Sequence, residues 1–152
     1  MIFHILCPTD LKERAYISLK KAVQIAHQFN ARITMLNVHR EFMDKHERKM
    51  LRVSVDKLKE KYRQVAIESK EEMKTVIHEL HADDIEIAYL LREGTPADTI
   101  IEVSAQEGVD LIVMCTDGRD NLKDLVTGTI TEQVINHAPC PVLVIPFQLR
   151  RN

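Results

Sequence analysis

The sequence predicts an α/β fold, a single doubly wound domain with a five-stranded parallel sheet and helices on both of its faces. Short apolar runs alternate along the chain with longer segments whose apolar residues recur at helical spacing. Such alternation is typical of right-handed crossovers between parallel strands. The strands are almost continuously apolar, as in sheets that are buried on both faces. The length of 152 residues suits one domain, assigned to residues 1–152.

The chain is expected to begin with a strand, a helix and a second strand. The first strand is predicted at residues 2–6 and is ended by Pro8, and the helix follows at residues 12–29. Asn30 is expected to end that helix. The second strand is predicted at residues 32–38.

The next helical segment is unusually long. Apolar residues recur at steps of mostly three or four from Lys49 to His81, which would give a helix roughly 45–50 Å long at 1.5 Å per residue. A five-stranded sheet cannot cover that length, so we expect a break near Ser69 or an N-terminal half that projects. An overlong solvated helix and a helix dedicated to a partner both remain open.

Three further strands are predicted at residues 85–91, 110–114 and 141–146. Prolines bracket the last of them, which favours a position at an edge of the sheet.

Two helices are predicted between these strands. The first should follow Thr95 as its cap, hold Pro96 in its first turn and end at Gly108. The second, at residues 129–138, should turn one apolar side to the core, formed by Ile130, Val134 and Ile135.

Composition argues against several classes of function. The net charge of −2, with both signs interspersed, provides no basic surface for nucleic acid or for anionic lipid. No apolar stretch approaches the roughly 20 residues that a membrane span needs, and the first residues lack the features of a secretion signal. Cys7, Cys115 and Cys140 form no zinc or disulfide pattern, which indicates reduced thiols and a cytoplasmic protein.

One polar loop carries the best candidate for chemistry. The chain has no GxxxxGK[ST], no GxGxxG after its first strand and no GxSxG. The stretch CTDGRDNLKDLVTGT, residues 115–129, follows the fourth strand, and ligands of open parallel sheets bind outside the carboxyl ends of strands. The glycines of this loop favour a bound phosphate. Its net charge of one negative unit disfavours a phosphate, because the loop holds Asp117, Asp120 and Asp124 against Arg119 and Lys123.

Four segments resemble the universal stress protein family. Gly118-x9-Gly128-Thr129 resembles the G-x2-G-x9-G-[ST] motif of the ATP-binding members, with Cys115 in place of the first glycine. CPTD (7–10) resembles the P-x-D after the first strand of the family, and EGTPADTIIE (93–102) resembles the opening of its third helix. VINHAPCPVLVIP (134–146) resembles its closing helix and strand. The segments span the chain in the order of the family.

The resemblance implies a strand order of 3-2-1-4-5 and a site for ATP. The residues after the first strand would lie near the adenosine, Val38 would contact adenine, and the glycines with Thr129 and the Ile130 amide would hold phosphates. Mg²⁺ could bridge the aspartates and the phosphates. The implied ATP-binding set is Pro8, Thr9, Asp10, Val38, Met114, Cys115, Gly118, Arg119, Gly128, Thr129 and Ile130.

The function implied by the resemblance is an ATP-binding module in stress response or regulation. The edge strand at residues 142–145 would pair with its copy in a homodimer. No residue pair suits strong phosphoryl-transfer catalysis, so any ATP hydrolysis is expected to be slow. Two alternatives remain open: a homodimeric interaction protein of the same family without a nucleotide, and a sensor that uses Cys7 and Cys115.

Histidines and cysteines are expected to have structural roles. His4 should be a partnered histidine in or near the core, and His137 should cap the last helix. His78 and His81 share a helix face, and an exposed helix end is favoured there over a metal site. Cys7 and Cys115 end neighbouring strands in the implied order and are expected to be small buried thiols.

Overall fold

The computed structural model describes residues 1–9, 13–39, 55–116 and 129–146. Five strands and four helices alternate along these residues. No helix among them is long and apolar enough to cross a membrane. The elements are β1 (His4–Pro8), α1 (Glu13–Phe29), β2 (Arg32–His39), α2 (Val55–Glu79), β3 (Ile87–Glu93), α3 (Pro96–Gln106), β4 (Leu111–Cys115), α4 (Ile130–His137) and β5 (Val142–Ile145).

The strands form one sheet in the order β3-β2-β1-β4-β5, and every pair is parallel. The predicted fold class, the strand order and the edge position of the last strand are therefore confirmed. β1 lies at the centre and runs to Pro8, two residues beyond its predicted end. Main-chain groups of even-numbered β1 residues face β4, and the described pairing with β4 stops at Leu6. The missing N–H of Pro8 therefore removes no bond from that pairing.

Two apolar layers cover the sheet, one on each face. Side chains alternate along β1, so that Ile5 and Cys7 pack with α1 and α2, whereas Leu6 packs with α3 and α4. All three of these side chains are fully buried. A central strand that is buried on both faces explains the continuous apolar run in the sequence.

Helix ends follow the predicted signals with one difference. Asn30, directly after α1, and Gly108, after the C-cap Glu107 of α3, adopt left-handed conformations with φ of 54° and 61°. Pro96 begins α3 as predicted, and Thr95 occupies the cap position, but its side chain makes no capping bond. Instead, the Thr95 carbonyl accepts bonds from the Thr99 N–H at 2.9 Å and the Thr99 hydroxyl at 2.8 Å.

Helix α2 is continuous over its 25 residues and passes through Ser69 without a break. Of the two expectations, the break near Ser69 was wrong, because Ser69 is buried where the helix meets the sheet; a projecting N-terminal half stays a prediction. The Ser69 side chain is 7% exposed, and its hydroxyl lies 3.4 Å from the Asn37 amide nitrogen on β2. The predicted start of this helix, residues 49–54, lies outside the described residues.

Helix α4 buries a different face from the predicted one. Val134 is fully buried and Ile130 is half-buried, but Ile135 is 52% exposed. Thr131, which is 4% exposed, takes the place predicted for Ile135. Residues three apart share a helix face, whereas consecutive residues diverge by about 100°, so Thr131 and not Ile135 lies beside Val134.

Candidate functional site

The sheet forms a crevice where β1 ends between two longer neighbours. The described pairing of β1 with β2 ends at Pro8 and Leu36, and the Thr9 N–H then donates to the Leu36 carbonyl at 2.8 Å. β2 continues from there to His39. On the other side β4 continues beyond Ile112, its last described pair with β1, to Cys115. This place, where chain connections leave β1 and β4 in opposite directions, is where open parallel sheets bind ligands.

The main chain of Val38 is directed into this crevice. Even-numbered residues of β2 bond toward β1, as Arg32 and Leu36 do, and odd-numbered residues bond toward β3, as His39 does. The Val38 N–H and C=O therefore point toward the β1 side, past the last pair of that ladder. No hydrogen bond to either group is found among the described residues. One donor and one acceptor stand side by side at the wall of the crevice.

The N-terminus of α4 provides polar groups of another kind. Thr129 is the N-cap, and its hydroxyl oxygen accepts a bond from the Glu132 N–H at 3.1 Å. The hydroxyl hydrogen remains available as a donor, together with the unpaired N–H groups that every helix presents in its first turn. Glu132 adds a negative charge to that turn.

The structure brings together seven of the predicted ATP-binding residues and does not describe the rest. Val38, Met114 and Ile130 belong to one apolar cluster beneath the carboxyl edge of the sheet. Pro8, Thr9 and Cys115 end the strands on either side of the crevice, and Thr129 caps α4. Outside the described residues lie Asp10, Gly118, Arg119 and Gly128, as do Asp117, Asp120, Asn121, Lys123 and Asp124.

The two cysteines near the crevice differ in their environments. Cys7 is fully buried, with its Sγ 3.8 Å from the Ser18 hydroxyl oxygen, and burial raises its pKa to about 12. Its thiol is therefore protonated at neutral pH, and the prediction of a small buried thiol is confirmed. Cys115 is only half-buried, so the same prediction was wrong for that residue. β4 ends at Cys115, and the half-buried position of this residue is the last in the strand.

The three histidines assigned structural roles from the sequence, His4, His78 and His137, lie away from the crevice. His4 is 3% exposed and its Nε2 lies 2.7 Å from the Thr34 hydroxyl, which confirms a partnered core histidine. His78 is exposed in the last turn of α2 and lies 3.5 Å from Asp83, as expected for a helix end. His137 Nδ1 lies 3.0 Å from the Gln133 carbonyl at the end of α4, where the cap was predicted. Within the described ranges, no group of three His, Cys, Asp or Glu residues is arranged to hold a metal ion.

Sequence reasoning missed a second depression, which lies between the end of β2 and the middle of α2. This cleft has a volume of about 480 Å³ and is lined by Asn37, Val38, His39, Val65, Glu68, Ser69 and Glu72. Two signals in the sequence could have revealed it. Asn37 and His39 interrupt an apolar strand, and Ser69 interrupts the apolar residues that recur at helical spacing along α2.

The family model of the universal stress proteins matches residues 1–146. This chain belongs to the universal stress protein family. A universal stress protein of Methanocaldococcus jannaschii is 29% identical, and the match covers 93% of each chain. A second universal stress protein of that organism is 31% identical over 93% of this chain and 80% of its own length.

Solved structures agree with this membership of the universal stress protein family. The structure of the first Methanocaldococcus relative matches with a TM-score of 0.74 and 30% identity, and covers 98% of this chain and 99% of that one. A universal stress protein in complex with cAMP matches at 18% identity and a TM-score of 0.61, covering 95% of this chain and 97% of its own. A protein of Archaeoglobus fulgidus in complex with dAMP has the same identity and TM-score, over 95% and 98%. At 18% identity the last two support the fold alone.

Proposed function

We propose that this universal stress protein binds an adenine nucleotide, in the first place ATP, in the crevice at the end of β1. In this proposal it acts as a regulatory module of the cytoplasmic stress response. The observation that carries the proposal is the Val38 main chain, whose N–H and C=O face the crevice beyond the last pair with β1. Universal stress proteins of the same fold have been solved in complex with cAMP and with dAMP, and the proposal extends that ligand class to this chain.

The two main-chain groups of Val38 complement the edge of adenine. Adenine presents the N6 amino donor beside the N1 acceptor, and these would pair with the Val38 C=O and N–H respectively. Guanine presents a carbonyl and an N–H donor at the corresponding positions. The Val38 C=O would then face another carbonyl, and the Val38 N–H would face another donor. An unsatisfied pair of this kind is costly when water is excluded, and we therefore expect ATP to bind more tightly than GTP.

The phosphates would lie at the N-terminus of α4. The Thr129 hydroxyl can donate to a phosphate oxygen while it accepts from the Glu132 N–H, and the helix dipole favours an anion there. Glu132 and the aspartates that precede Thr129 oppose that anion. A Mg²⁺ ion held between carboxylate and phosphate oxygens would offset the repulsion, so we expect ATP to bind more tightly with Mg²⁺ than with a chelator.

Replacement of Val38 by proline tests the base contact directly. Val38→Pro removes the N–H that faces the crevice and takes no bond from the ladder with β3, because even-numbered β2 residues do not bond to β3. The control Val38→Ala shortens the same side chain and keeps the N–H. We expect the proline variant to bind ATP about tenfold more weakly than the alanine variant, the effect of one lost hydrogen bond, as measured by titration calorimetry.

Two results would contradict different parts of this proposal. Equal affinities of the proline and alanine variants, with wild-type binding intact, would remove the role of Val38 alone. The absence of any adenine released from denatured protein, together with no thermal shift of the wild type in millimolar Mg-ATP, would reject nucleotide binding. The family alternative would then apply, an interaction protein without a nucleotide.

We also propose a homodimer, because β5 leaves one edge of the sheet open. Odd-numbered residues bond toward β4, as Pro141 and Ile145 do, so the Val144 N–H points outward. Leu143 on this strand is 36% exposed. Val144→Pro should produce a monomer in light scattering, and Val144→Ala should remain a dimer. A monomeric wild type at about 100 μM, a concentration at which a stable dimer persists, would reject the homodimer.

A further inference from the structure

The cleft between β2 and α2 arises because two facing surfaces change from apolar to polar at the same level. Along α2 the sheet-facing stripe is apolar at Met73 and Ile77, which are 1% and 5% exposed. Toward the N-terminus the stripe continues through Ser69, which is 7% exposed, and Val65, while the exposed Glu68 and Glu72 stand beside it; all four residues line the cleft. A helix that merely covered the sheet would carry an apolar residue in place of Ser69.

The matching change on β2 occurs at Asn37. Ile33 and Met35 on the same face of the strand are each 1% exposed, and the next residues on that face are Asn37 and His39. Asn37 is 6% exposed, and its Nδ2 donates to the Ser69 hydroxyl at 3.4 Å, which is longer than a typical N–H···O bond. The two polar positions therefore meet across the interface between sheet and helix.

The Asn37 amide has hydrogen-bonding capacity that the described residues leave unused. An asparagine side chain offers two donor hydrogens and one acceptor oxygen, and the bond to Ser69 uses one donor. No hydrogen bond to Asn37 Oδ1 is found among the described residues, and the side chain lines the cleft. Because the side chain borders the cleft, this acceptor oxygen is open to a donor from water or from a bound molecule.

We propose that this cleft binds a small organic cation, an alkylammonium or a short diamine. Its volume of about 480 Å³ lies within the usual range for small-molecule sites. Its oxygens are acceptors for N–H donors: Asn37 Oδ1 lies inside, and the carboxylates of Glu68 and Glu72 lie at the exposed mouth. Val65 provides apolar surface for a methylene chain.

The charges distinguish this ligand from the proposed nucleotide. Two glutamates line the cleft, and no lysine or arginine is among the described residues that line it, so a phosphate is repelled. The cleft is far larger than a desolvated metal ion, which also favours an organic cation. Asn37 and Ser69 lie on the α2 face of the sheet, whereas the Val38 side chain belongs to the cluster on the opposite face. The inference therefore does not depend on nucleotide binding.

Three probes of similar length test the charge requirement. We would titrate the full chain with 1,4-diaminobutane, with neutral 1,4-butanediol and with anionic succinate, and would follow heat and the NMR signals of the Asn37 side-chain amide. Saturable binding of the diamine that shifts these signals is expected, with no saturation by the diol or succinate. No saturable binding of the diamine up to about 10 mM, a limit that corresponds to under 3 kcal/mol of binding free energy, would overturn the proposal.

Glutamate-to-glutamine variants on the same helix test the location. Glu72→Gln removes a charge at the mouth of the cleft, and Glu79→Gln removes the same charge from the exposed end of α2, outside the cleft. Both positions are exposed, so both variants should fold. Glu72→Gln should weaken diamine binding about two- to fivefold, as expected for one solvent-accessible ion pair, and Glu79→Gln should leave it unchanged. Equal effects of the two variants, or equal binding of diol and diamine, would reject this site.

Discussion

The buried contact between His4 and Thr34 offers a sharp test of how the amino end of the sheet is stabilised. Both side chains are 3% exposed, and His4 Nε2 lies 2.7 Å from Thr34 Oγ1. His4 Nδ1 lies 3.2 Å from both the Arg32 guanidinium, which can only donate, and the Glu107 carbonyl, which can only accept. The neutral ring either carries its proton on Nε2 and donates to Thr34, or carries it on Nδ1 and accepts from the Thr34 hydroxyl. In either tautomer Thr34→Val would leave the buried Nε2 without its partner.

The expected cost follows from this geometry. A buried donor or acceptor left unsatisfied costs about 1–3 kcal/mol. The ring can reduce the loss by adopting the tautomer whose Nε2 is less costly to leave unpaired, because Nδ1 has a partner in either tautomer, Arg32 as donor or Glu107 as acceptor. We therefore expect Thr34→Val to lower the free energy of unfolding by about 1–2 kcal/mol in urea denaturation. As a control, Thr75→Val alters an exposed threonine on α2 and should stay within about 0.5 kcal/mol of wild type.

A double-mutant cycle separates the hydrogen bond from other effects of the substitution. His4→Leu removes the imidazole, so the Thr34 hydroxyl is left unpaired. When both residues are replaced, neither polar group remains, and the double variant should lose less stability than the two single losses together, by about 1 kcal/mol. Single losses that add to within about 0.5 kcal/mol would refute the argument that His4 and Thr34 are coupled.

Three further outcomes are expected from the structure. Burial, followed by the Arg32 charge, holds the pKa of His4 below its ordinary value of 6.5. As the pH falls, the unfolded chain therefore binds this proton before the folded protein does. The contribution of His4 to the free energy of unfolding is complete above about pH 6.5 and is lost as the pH falls below it. Urea denaturation between pH 7 and pH 5 should show that loss in wild type, and an equal loss in His4→Leu would contradict it. Thr129→Ala removes the cap of α4 and should lower the free energy of unfolding by about 1 kcal/mol, whereas Thr129→Ser, which keeps the hydroxyl, should lower it less. Equal midpoints of thermal denaturation for Thr129→Ala and wild type would disprove the capping role. Gly108 has φ of 61° and nothing within 4 Å of an added Cβ, so Gly108→Ala should cost about 1–2 kcal/mol from backbone strain alone; Gly108→Asn should cost less, and equal denaturation midpoints of both variants and wild type would exclude that strain.

Local patterns in the sequence were sufficient for the framework of the fold. Apolar runs located all five strands, although β1 and β3 lie about two residues later than predicted. Asn30 and Gly108 marked helix ends because the backbone conformation needed there is a property of single residues. The open edge of β5 was predicted from its flanking prolines, since proline cannot donate in the middle of a sheet. Each of these features depends on a few neighbouring residues.

Tertiary contacts decided the points at which the same patterns were misleading. Ser69 was expected near a helix break, yet it is buried within α2, because Asn37 from a strand more than thirty residues earlier supplies its partner. Ile135 was predicted to face the core, yet it is exposed, because the packing of Val134 against the sheet fixed the rotation of α4. No local rule encodes either contact.

The candidate sites divide in the same way. Sequence and family resemblance were enough to assign Thr129 and the end of β4 to one edge of a parallel sheet, because strand direction follows from the order of the elements. They could not predict that the Val38 main chain extends past its partner strand, since only the register of β1 on β2 determines which N–H and C=O groups are left unpaired. Nor could they predict the cleft at Asn37, which exists because one strand and one helix, distant in sequence, both become polar where they meet.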